Sequence, residues 1–346
     1  MPEALRIATY NTEWFTYLFN DRGKLLADGA PSSRYKVTRA EQLAALGIVF
    51  TAINADAVLV VEAPDTNRKR SSVNALERFA AEVGLRTRRA VTGFPSDSEQ
   101  ELTLLYDPDR LSARHDPLGH WPQKAEDNTA PRFDGVFRVP LEEGGTAEPN
   151  RFSKPPLELA VETAGGAKLR LIGVHTKSKA PHGAFGTQDI PRVALINRRK
   201  QLAQCLWIRA RVEEHLAAGD SLIVLGDFND GPGIDEYEKK LGRSGVEVVM
   251  GVGSDSTRLF DPHARMAIAA RVGITPTSAR FYLAPQKRFF EAMLDFIMVT
   301  PDLAARGPAW RIWHPFNDPG VFKVPELRDA LMTASDHFPV TLDVLL

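Results

Sequence analysis

The chain reads as an α/β protein. Short apolar runs of strand length alternate with longer segments in which apolar residues recur at helical spacing. Five of the apolar runs end or begin at a carboxylate, an amide or an imidazole, which collects polar side chains at the lip of a sheet. No internal repeat or low-complexity linker interrupts the pattern, so residues 1–346 are expected to form a single domain. A hydrophobic content of 43% and a charged content of 25% suit a soluble globular enzyme.

In chain order, the first strand starts by Leu5 and runs through Ile7-Ala-Thr-Tyr-Asn11-Thr-Glu13. It reaches an amide and then, two residues on, a carboxylate that faces the same way. Thr38 to about Ile53 reads as a helix whose apolar face is Leu43, Leu46, Val49, Phe50 and Ile53. Ala57–Glu62 is a continuous apolar strand that stops on a carboxylate. Ser71 to Val83 forms a second helix that Ser71 or Ser72 can cap. Strands follow at Arg88–Val91, Thr103–Tyr106, Phe137–Pro140 and Leu157–Val161. Leu169–His175 stops on an imidazole, with Lys177 and Lys179 just beyond it.

A long helix spans Ile190 to Ala217, with Pro191 in its first turn and Gly219 past its end. Ser221–Asp230 is a buried strand that ends in Asp227-x-Asn229. The Gly231-Pro-Gly233 turn leads to a short helix over Ile234–Leu241. Met293–Val299 is an apolar strand interrupted by Asp295, and Ser335-Asp336-His337 precedes the last strand, Phe338–Leu346. Segments 21–36, 112–156, 250–290 and 305–330 read as loops, and substrate choice is expected to reside in them.

Carboxylates, amides and histidines gathered at strand ends are what a divalent-metal phosphoryl-transfer site requires. Glu62 is the first metal ligand expected, because no cationic neighbour explains a carboxylate there. A buried Asp295 is expensive unless paired, and its natural partner is His337, whose other ring nitrogen would reach the phosphate. Asn11 and Asn229 carry amides that can orient a carboxylate or donate to a phosphate oxygen. Asn229 also suits a plain turn.

Six blocks in this order resemble the endonuclease/exonuclease/phosphatase superfamily, which includes pancreatic deoxyribonuclease and the abasic-site endonucleases. They are Thr9-Tyr-Asn-Thr-Glu-Trp14, Val60-Val-Glu62, Gly173-Val-His-Thr-Lys-Ser-Lys179, Gly226-Asp-Phe-Asn-Asp230, Leu294-Asp-Phe-Ile-Met-Val299 and Ser335-Asp-His-Phe-Pro-Val340. The block around His175 is most similar to the bacterial nuclease branch.

The resemblance covers nearly the whole chain and implies a four-layer α/β/β/α sandwich of two mixed sheets packed face to face. It implies that Asp227 positions or deprotonates the attacking water, with Asn229 beside it. Glu13, Asn11 and Asp336 would join Glu62 on the metal side. His175 would contact phosphate or protonate the leaving oxygen, and Lys177 and Lys179 would bind substrate phosphate. The implied cofactor is Mg²⁺, with Mn²⁺ able to substitute.

Composition sets limits on this reading. The net charge of −1 lacks the basic footprint of a protein that grips long nucleic acid. Basic clusters such as Arg68-Lys-Arg70 are local. Cys205, the only cysteine, excludes an internal disulfide and sits in an apolar helical context where an inert thiol is expected. His115, His120, His182, His215, His263 and His314 lack zinc-site spacing and read as loop or surface residues. No Walker-type phosphate loop occurs.

The expectation is a metal-dependent nuclease that cleaves phosphodiesters by in-line attack of water and acts on DNA or RNA. A phosphatase or phosphodiesterase for a small or lipid phosphate ester is the alternative, and a catalytically inactive binding module is a remote one. No signal peptide precedes the first strand and no apolar run approaches the ~20 residues of a membrane span. A cytoplasmic monomer without membrane contact is therefore expected.

Overall fold

Strands that are apolar on both faces must be covered on both faces, and the chain does this with two sheets and two helical layers. The computed structural model describes residues 4–121, 129–142, 144–181, 183–232, 242–254, 257–269, 275–283 and 287–346. The strands are β1 (Ala4–Asn11), β2 (Ala57–Ala63), β3 (Arg89–Thr92), β4 (Glu101–Tyr106), β5 (Leu111–His115), β6 (Phe137–Val139), β7 (Glu148–Asn150), β8 (Leu157–Thr163), β9 (Lys168–His175), β10 (Leu222–Asp227), β11 (Ala279–Leu283), β12 (Arg288–Ala292), β13 (Asp295–Val299), β14 (Ala309–Ile312) and β15 (Val340–Leu345). The helices are α1 (Arg39–Ile53), α2 (Ser72–Val83), α3 (Ile190–Ala218), α4 (Gly245–Met250), α5 (Pro262–Ala269), α6 (Pro301–Ala304), α7 (Pro319–Phe322) and α8 (Pro325–Ala334).

One sheet runs β14-β15-β1-β2-β4-β3 and the other β13-β10-β9-β8-β5. Each is mixed: β1 and β2 are parallel, as are β9 and β10, and the other pairings are antiparallel. Alternate residues of every central strand face the other sheet. Leu5, Ile7, Leu59, Leu171, Ile223, Leu225, Ile297 and Leu342 form that inner core. Val58 and Val60 on the outer face of the first sheet pack on Leu46, Phe50, Phe79 and Leu331 of α1, α2 and α8. Ile172, Val224 and Met298 on the other outer face pack on Leu202, Ile208 and Val249 of α3 and α4. These are the four layers the sequence implied.

The helix ends obey local chemistry. Thr38 and Glu41 form a capping box on α1, Ser71 accepts from Asn74 N on α2, and Gly219 ends α3 in the left-handed region. The expected helix at 234–241 lies outside the described residues. β6 falls on the strand expected at Phe137–Pro140, but three segments expected to be loops hold further regular elements: β7 within 112–156, α5 and β11 within 250–290, and β14, α7 and the start of α8 within 305–330. Prolines caused much of that misreading. Pro319 and Pro325 occupy first helical turns, where a missing N–H costs nothing.

The histidines also depart from expectation. His215 is buried on α3 with Nδ1 2.8 Å from Asp220 Oδ2, and buried His314 accepts from the Phe316 and Asn317 amides. His115 lies on β5 and His263 on α5, whereas His120 is exposed as expected. His182 lies outside the described residues. Cys205 is buried. Among the described residues no helix is long and apolar enough to cross a membrane.

Gly226 makes the end of β10 possible. Its φ is +139°, and a Cβ there would sit 2.0 Å from the Val174 carbonyl oxygen on β9. Gly226→Ala should therefore cost about 3 kcal/mol or more. Gly166→Ala, at a turn with open space around it, should cost about 1 kcal/mol. Urea unfolding of both variants checks the contrast, and equal losses would contradict this account of β10.

Candidate active site

The inner-face rows turn polar at one end of the sandwich. Ile223 and Leu225 are followed by Asp227, Leu169 and Leu171 by Gly173 and His175, and Val299 and Ile297 by Asp295 when β13 is traced backwards. The register places Asp227 opposite His175 on one side and opposite Asp295 on the other. Asn11 ends the corresponding row of β1 in the facing sheet. The sequence of β2 would send Glu62 with Val58 and Val60 towards the helices. A bulge between Val61 and Ala63, with Glu62 at φ +60°, carries it instead to Asn11 and Trp14.

Asp227 is held from several directions. Its Oδ1 accepts from Asn229 N at 2.7 Å, and its Oδ2 accepts from Asn11 Nδ2 at 3.1 Å. Nε2 of His175 lies 3.6 Å from the same Oδ2, and Nε2 of His337 lies 3.9 Å from it. Burial pushes the Asp227 carboxyl up to about 7; the His337 charge opposes this and the Asp295 charge adds to it.

His337 Nδ1 donates to Asp295 Oδ2 at 2.8 Å, and Ser278 Oγ donates to that oxygen at the same distance. Ser278 Oγ in turn accepts from the Leu294 and Asp295 amides. Burial disfavours the imidazolium of His337, but the Asp295 and Asp227 carboxylates hold its pKa well above the ordinary value. His175 moves the other way: burial, then the cationic Lys154 and His337, push it well below.

Lys154 Nζ lies 3.1 Å from His175 Nε2 and also donates to Gln100 Oε1. Burial lowers the Lys154 ammonium to about 8, with Glu62 and Asp227 holding it up. An ammonium has only protons to give, so it fixes Nε2 of the neutral His175 as the acceptor. The charge beside the cleft is therefore on Lys154 rather than on His175.

The metal-side candidates form an oxygen-rich patch. Glu62 Oε2 accepts from Trp14 N at 2.8 Å, and Asn11 Nδ2 approaches Oε1 at 3.5 Å. Glu13 is ion-paired with Arg34 and accepts from Asp336 N at 2.9 Å. Burial, and then the Asp336 charge, raise the Glu13 carboxyl to about 7 against the pull of Arg34. A divalent cation relieves such crowding, and an all-oxygen donor set suits a hard one.

Asp227, Asp295 and His337 also bring ligand atoms within 4.8 Å of one another. There, however, the Nδ1–Oδ2 hydrogen bond already joins two of the three, so the group reads better as a hydrogen-bonded relay. Glu13, Trp14, Glu62 and Asn229 all have φ between +47° and +60°. Such conformations in residues other than glycine cost of order 1–3 kcal/mol each and gather where a site needs them.

Ten of the eleven expected residues line one cleft or its floor: Asn11, Glu13, Glu62, His175, Lys177, Asp227, Asn229, Asp336 and His337 line it, and Asp295 lies behind His337. Lys179 does not line it, and its ammonium pairs with buried Asp230. The cleft encloses ≈ 670 Å³. Lys154, Ser278 and Gln100 were missed. Lys154 in Arg151-Phe-Ser-Lys-Pro-Pro156 stands in a segment whose composition reads as loop, and a lone serine carries no signal of its own.

The chain belongs to the Endonuclease/Exonuclease/phosphatase family, whose sequence pattern matches residues 8–337. The family is one of divalent-metal-dependent phosphoester hydrolases. Among solved structures, the chain is similar to D. rerio TDP2 humanized by 14 mutations (12% identity, TM-score 0.52, 99% of each chain covered). It is also similar to truncated Caenorhabditis elegans TDP2 (12%, TM-score 0.51, 99% of this chain and 98% of that one). A third is an endonuclease/exonuclease/phosphatase from Bacteroides vulgatus (16%, TM-score 0.50, 99% of each). At these identities the likeness is one of fold. No curated protein matches the sequence.

The relay geometry makes a graded prediction. Asp295→Asn and His337→Ala should each lower kcat by roughly 10²–10⁴-fold. Ser278→Ala should lower it by about tenfold with KM little changed, and Ser278→Thr should restore most of the loss. Steady-state kinetics on a chromogenic phosphodiester decides, and a Ser278→Ala enzyme with unaltered kcat would contradict the role given to that hydroxyl.

Proposed function

We propose that this protein is a nuclease that hydrolyses phosphodiester bonds of nucleic acid by single-step, in-line attack of water. One observation carries the reading: the register row His175–Asp227–Asp295, closed by His337, shares its cleft with two lysines. Membership in a family of metal-dependent phosphoester hydrolases supports the chemistry.

Asp227 is the general base. Asn11 and Asn229 hold its carboxylate so that it accepts the proton of the attacking water. His337, kept protonated by Asp295, donates from Nε2 to a non-bridging phosphate oxygen and stabilises the charge that builds there. Lys154 and Lys177 neutralise a second phosphate oxygen, with His175 orienting the Lys154 ammonium.

Glu62, with Asn11, Glu13 and Asp336, would hold Mg²⁺ or Mn²⁺, which neutralises phosphate charge and eases departure of the leaving oxygen. In this reading the whole chain works as one catalytic domain. The net charge of −1 favours a second reading, a phosphatase or phosphodiesterase for a small phosphate ester.

Chelation should abolish turnover, and Mg²⁺ or Mn²⁺ should restore it. Glu62→Gln should raise the metal concentration for half-maximal activity by roughly tenfold or more. Full activity in excess EDTA would refute the metal assignment.

Substrate class is tested with plasmid, single-stranded DNA, RNA, abasic duplex, inositol phosphates and a chromogenic phosphodiester. Polynucleotide cleavage with little sequence preference is expected. Its KM should rise several-fold from low to physiological salt, and replacing Lys154 and Lys177 by Met should flatten that slope. Turnover of a soluble phosphate ester, with every polynucleotide left intact, would favour the second reading.

A further inference from the structure

In-line hydrolysis needs one more group than those already placed. When the P–O bond opposite the attacking water breaks, the departing sugar oxygen keeps the electron pair and needs a proton to leave as an alcohol. Charge neutralisation eases that departure but supplies no proton. The acid has to stand apart from the base, because the entering and leaving oxygens lie on opposite sides of phosphorus.

The imidazoles do not meet these conditions. Nε2 of His175 accepts from the Lys154 ammonium, so the ring hydrogen is on Nδ1, which is buried without a hydrogen-bond partner. Neither ring nitrogen presents a proton to the cleft. His337 carries a proton on Nε2, but that atom lies 3.9 Å from Asp227 Oδ2, beside the base.

Lys154 does meet them. Its side chain lines the cleft and feels the Asp227 charge, and the two form no ion pair. Gln100 Oε1 takes one of its three protons and His175 Nε2 another, each at 3.1 Å. No third partner occurs among the described residues, which leaves one proton for substrate. The position is preset. Pro155 restricts the backbone of Lys154 to extended conformations. Ser153 O accepts from Asp97 N at 2.7 Å and from Ser96 Oγ at 3.2 Å. Lys177 on the same wall is held by its main chain, which donates to Gln204 Oε1 at 2.7 Å, rather than by its ammonium.

We infer that Lys154 is the general acid of the reaction, a catalytic residue that protonates the leaving oxygen. As the P–O bond breaks, a proton passes from Nζ to that oxygen and the amine keeps the electron pair of the N–H bond. Asp227 meanwhile takes a proton from the attacking water, whose oxygen forms the new bond to phosphorus. Asp227 then loses its proton to bulk water and Lys154 regains one, so the protein is unchanged. This rests on the nuclease reading above and adds the proton donor to it. The charge of Lys154 still neutralises phosphate together with Lys177.

The test measures single-turnover rates of the full chain with Mn²⁺ on two substrates. One is a short oligonucleotide, whose alkoxide leaving group needs a proton. The other is a p-nitrophenyl phosphodiester, whose phenolate leaves without one. Lys154→Met should lower the oligonucleotide rate roughly 10²–10⁴-fold and the nitrophenyl rate about tenfold or less. Lys154→Arg keeps the charge but holds its protons too tightly to donate them. It should recover much of the nitrophenyl rate and little of the oligonucleotide rate. Lys177→Met should lower both rates by similar factors.

Equal losses on the two substrates in Lys154→Met, or recovery of oligonucleotide cleavage in Lys154→Arg, would overturn the assignment. Lys154 would then be a phosphate-binding cation only, with the nuclease reading intact. If the wild-type enzyme cleaves no polynucleotide, the nuclease reading itself falls. The same contrast is then measured between an inositol phosphate and p-nitrophenyl phosphate, and the same two outcomes decide the role of Lys154.

Discussion

The whole site hangs on one row of the second sheet. His175, Asp227 and Asp295 are neighbours because β9, β10 and β13 are paired in a single register, and all three point into the seam between the sheets. A slip of one residue in any of these strands would turn its polar end towards the helices and bring an apolar residue to the cleft. Close strand and sheet contacts fix the register. Gly226 admits the Val174 carbonyl, and a Cβ at Gly173 would lie 2.6 Å from Leu59 of the facing sheet. The buried aliphatic rows are thus the ruler that sets the catalytic spacing.

Charge is the second organising principle, and the fold distributes it unequally. Carboxylates and histidines that are nearly sealed from water survive there only with partners. His337 is kept cationic by Asp295 and Asp227, and His175 is kept neutral by burial and Lys154. Two imidazoles less than 4 Å from the same carboxylate oxygen are therefore in opposite charge states. Around them, four residues other than glycine accept left-handed backbone conformations, and a hydrogen bond involving each one restrains it. The stability for this comes from the hydrophobic clusters between the sheets and beneath the helices.

Much of this was legible in the sequence, for physical reasons. Central strands are long, continuous and apolar, so a polar residue at the end of one stands out, as Glu62, His175 and Asp227 do. Asp295 was legible because a carboxylate inside an apolar run demands a partner. What stayed hidden depends on tertiary contacts. The bulge at Glu62, the link from Ser278 to Asp295 and the placement of Lys154 beside His175 join residues far apart in sequence. Lys179 misled because adjacency to His175 says nothing about direction, and Asp230, 51 residues on, captures it. Arg70 of the basic cluster is likewise turned inward onto Asp65. His215 and His314 escaped because their partners are backbone amides or a carboxylate just past a helix end.

The central claim is that Asp227 acts ionised while His337 acts protonated, and the single-turnover rate as a function of pH, at Mn²⁺ concentrations from limiting to saturating, tests it most directly. Asp227 is raised, so activity is lost as pH falls through its pKa, about 7 in the protein alone and lower once a cation is bound. His337 is also raised, so its contribution persists through neutrality and fades only well above the ordinary imidazole range. The account predicts an acid limb that moves to lower pH as metal is added, followed by a plateau across neutral and mildly alkaline pH. A falling limb centred near the ordinary histidine value of about 6.5 would show that Asp295 does not hold His337 protonated, and would contradict it.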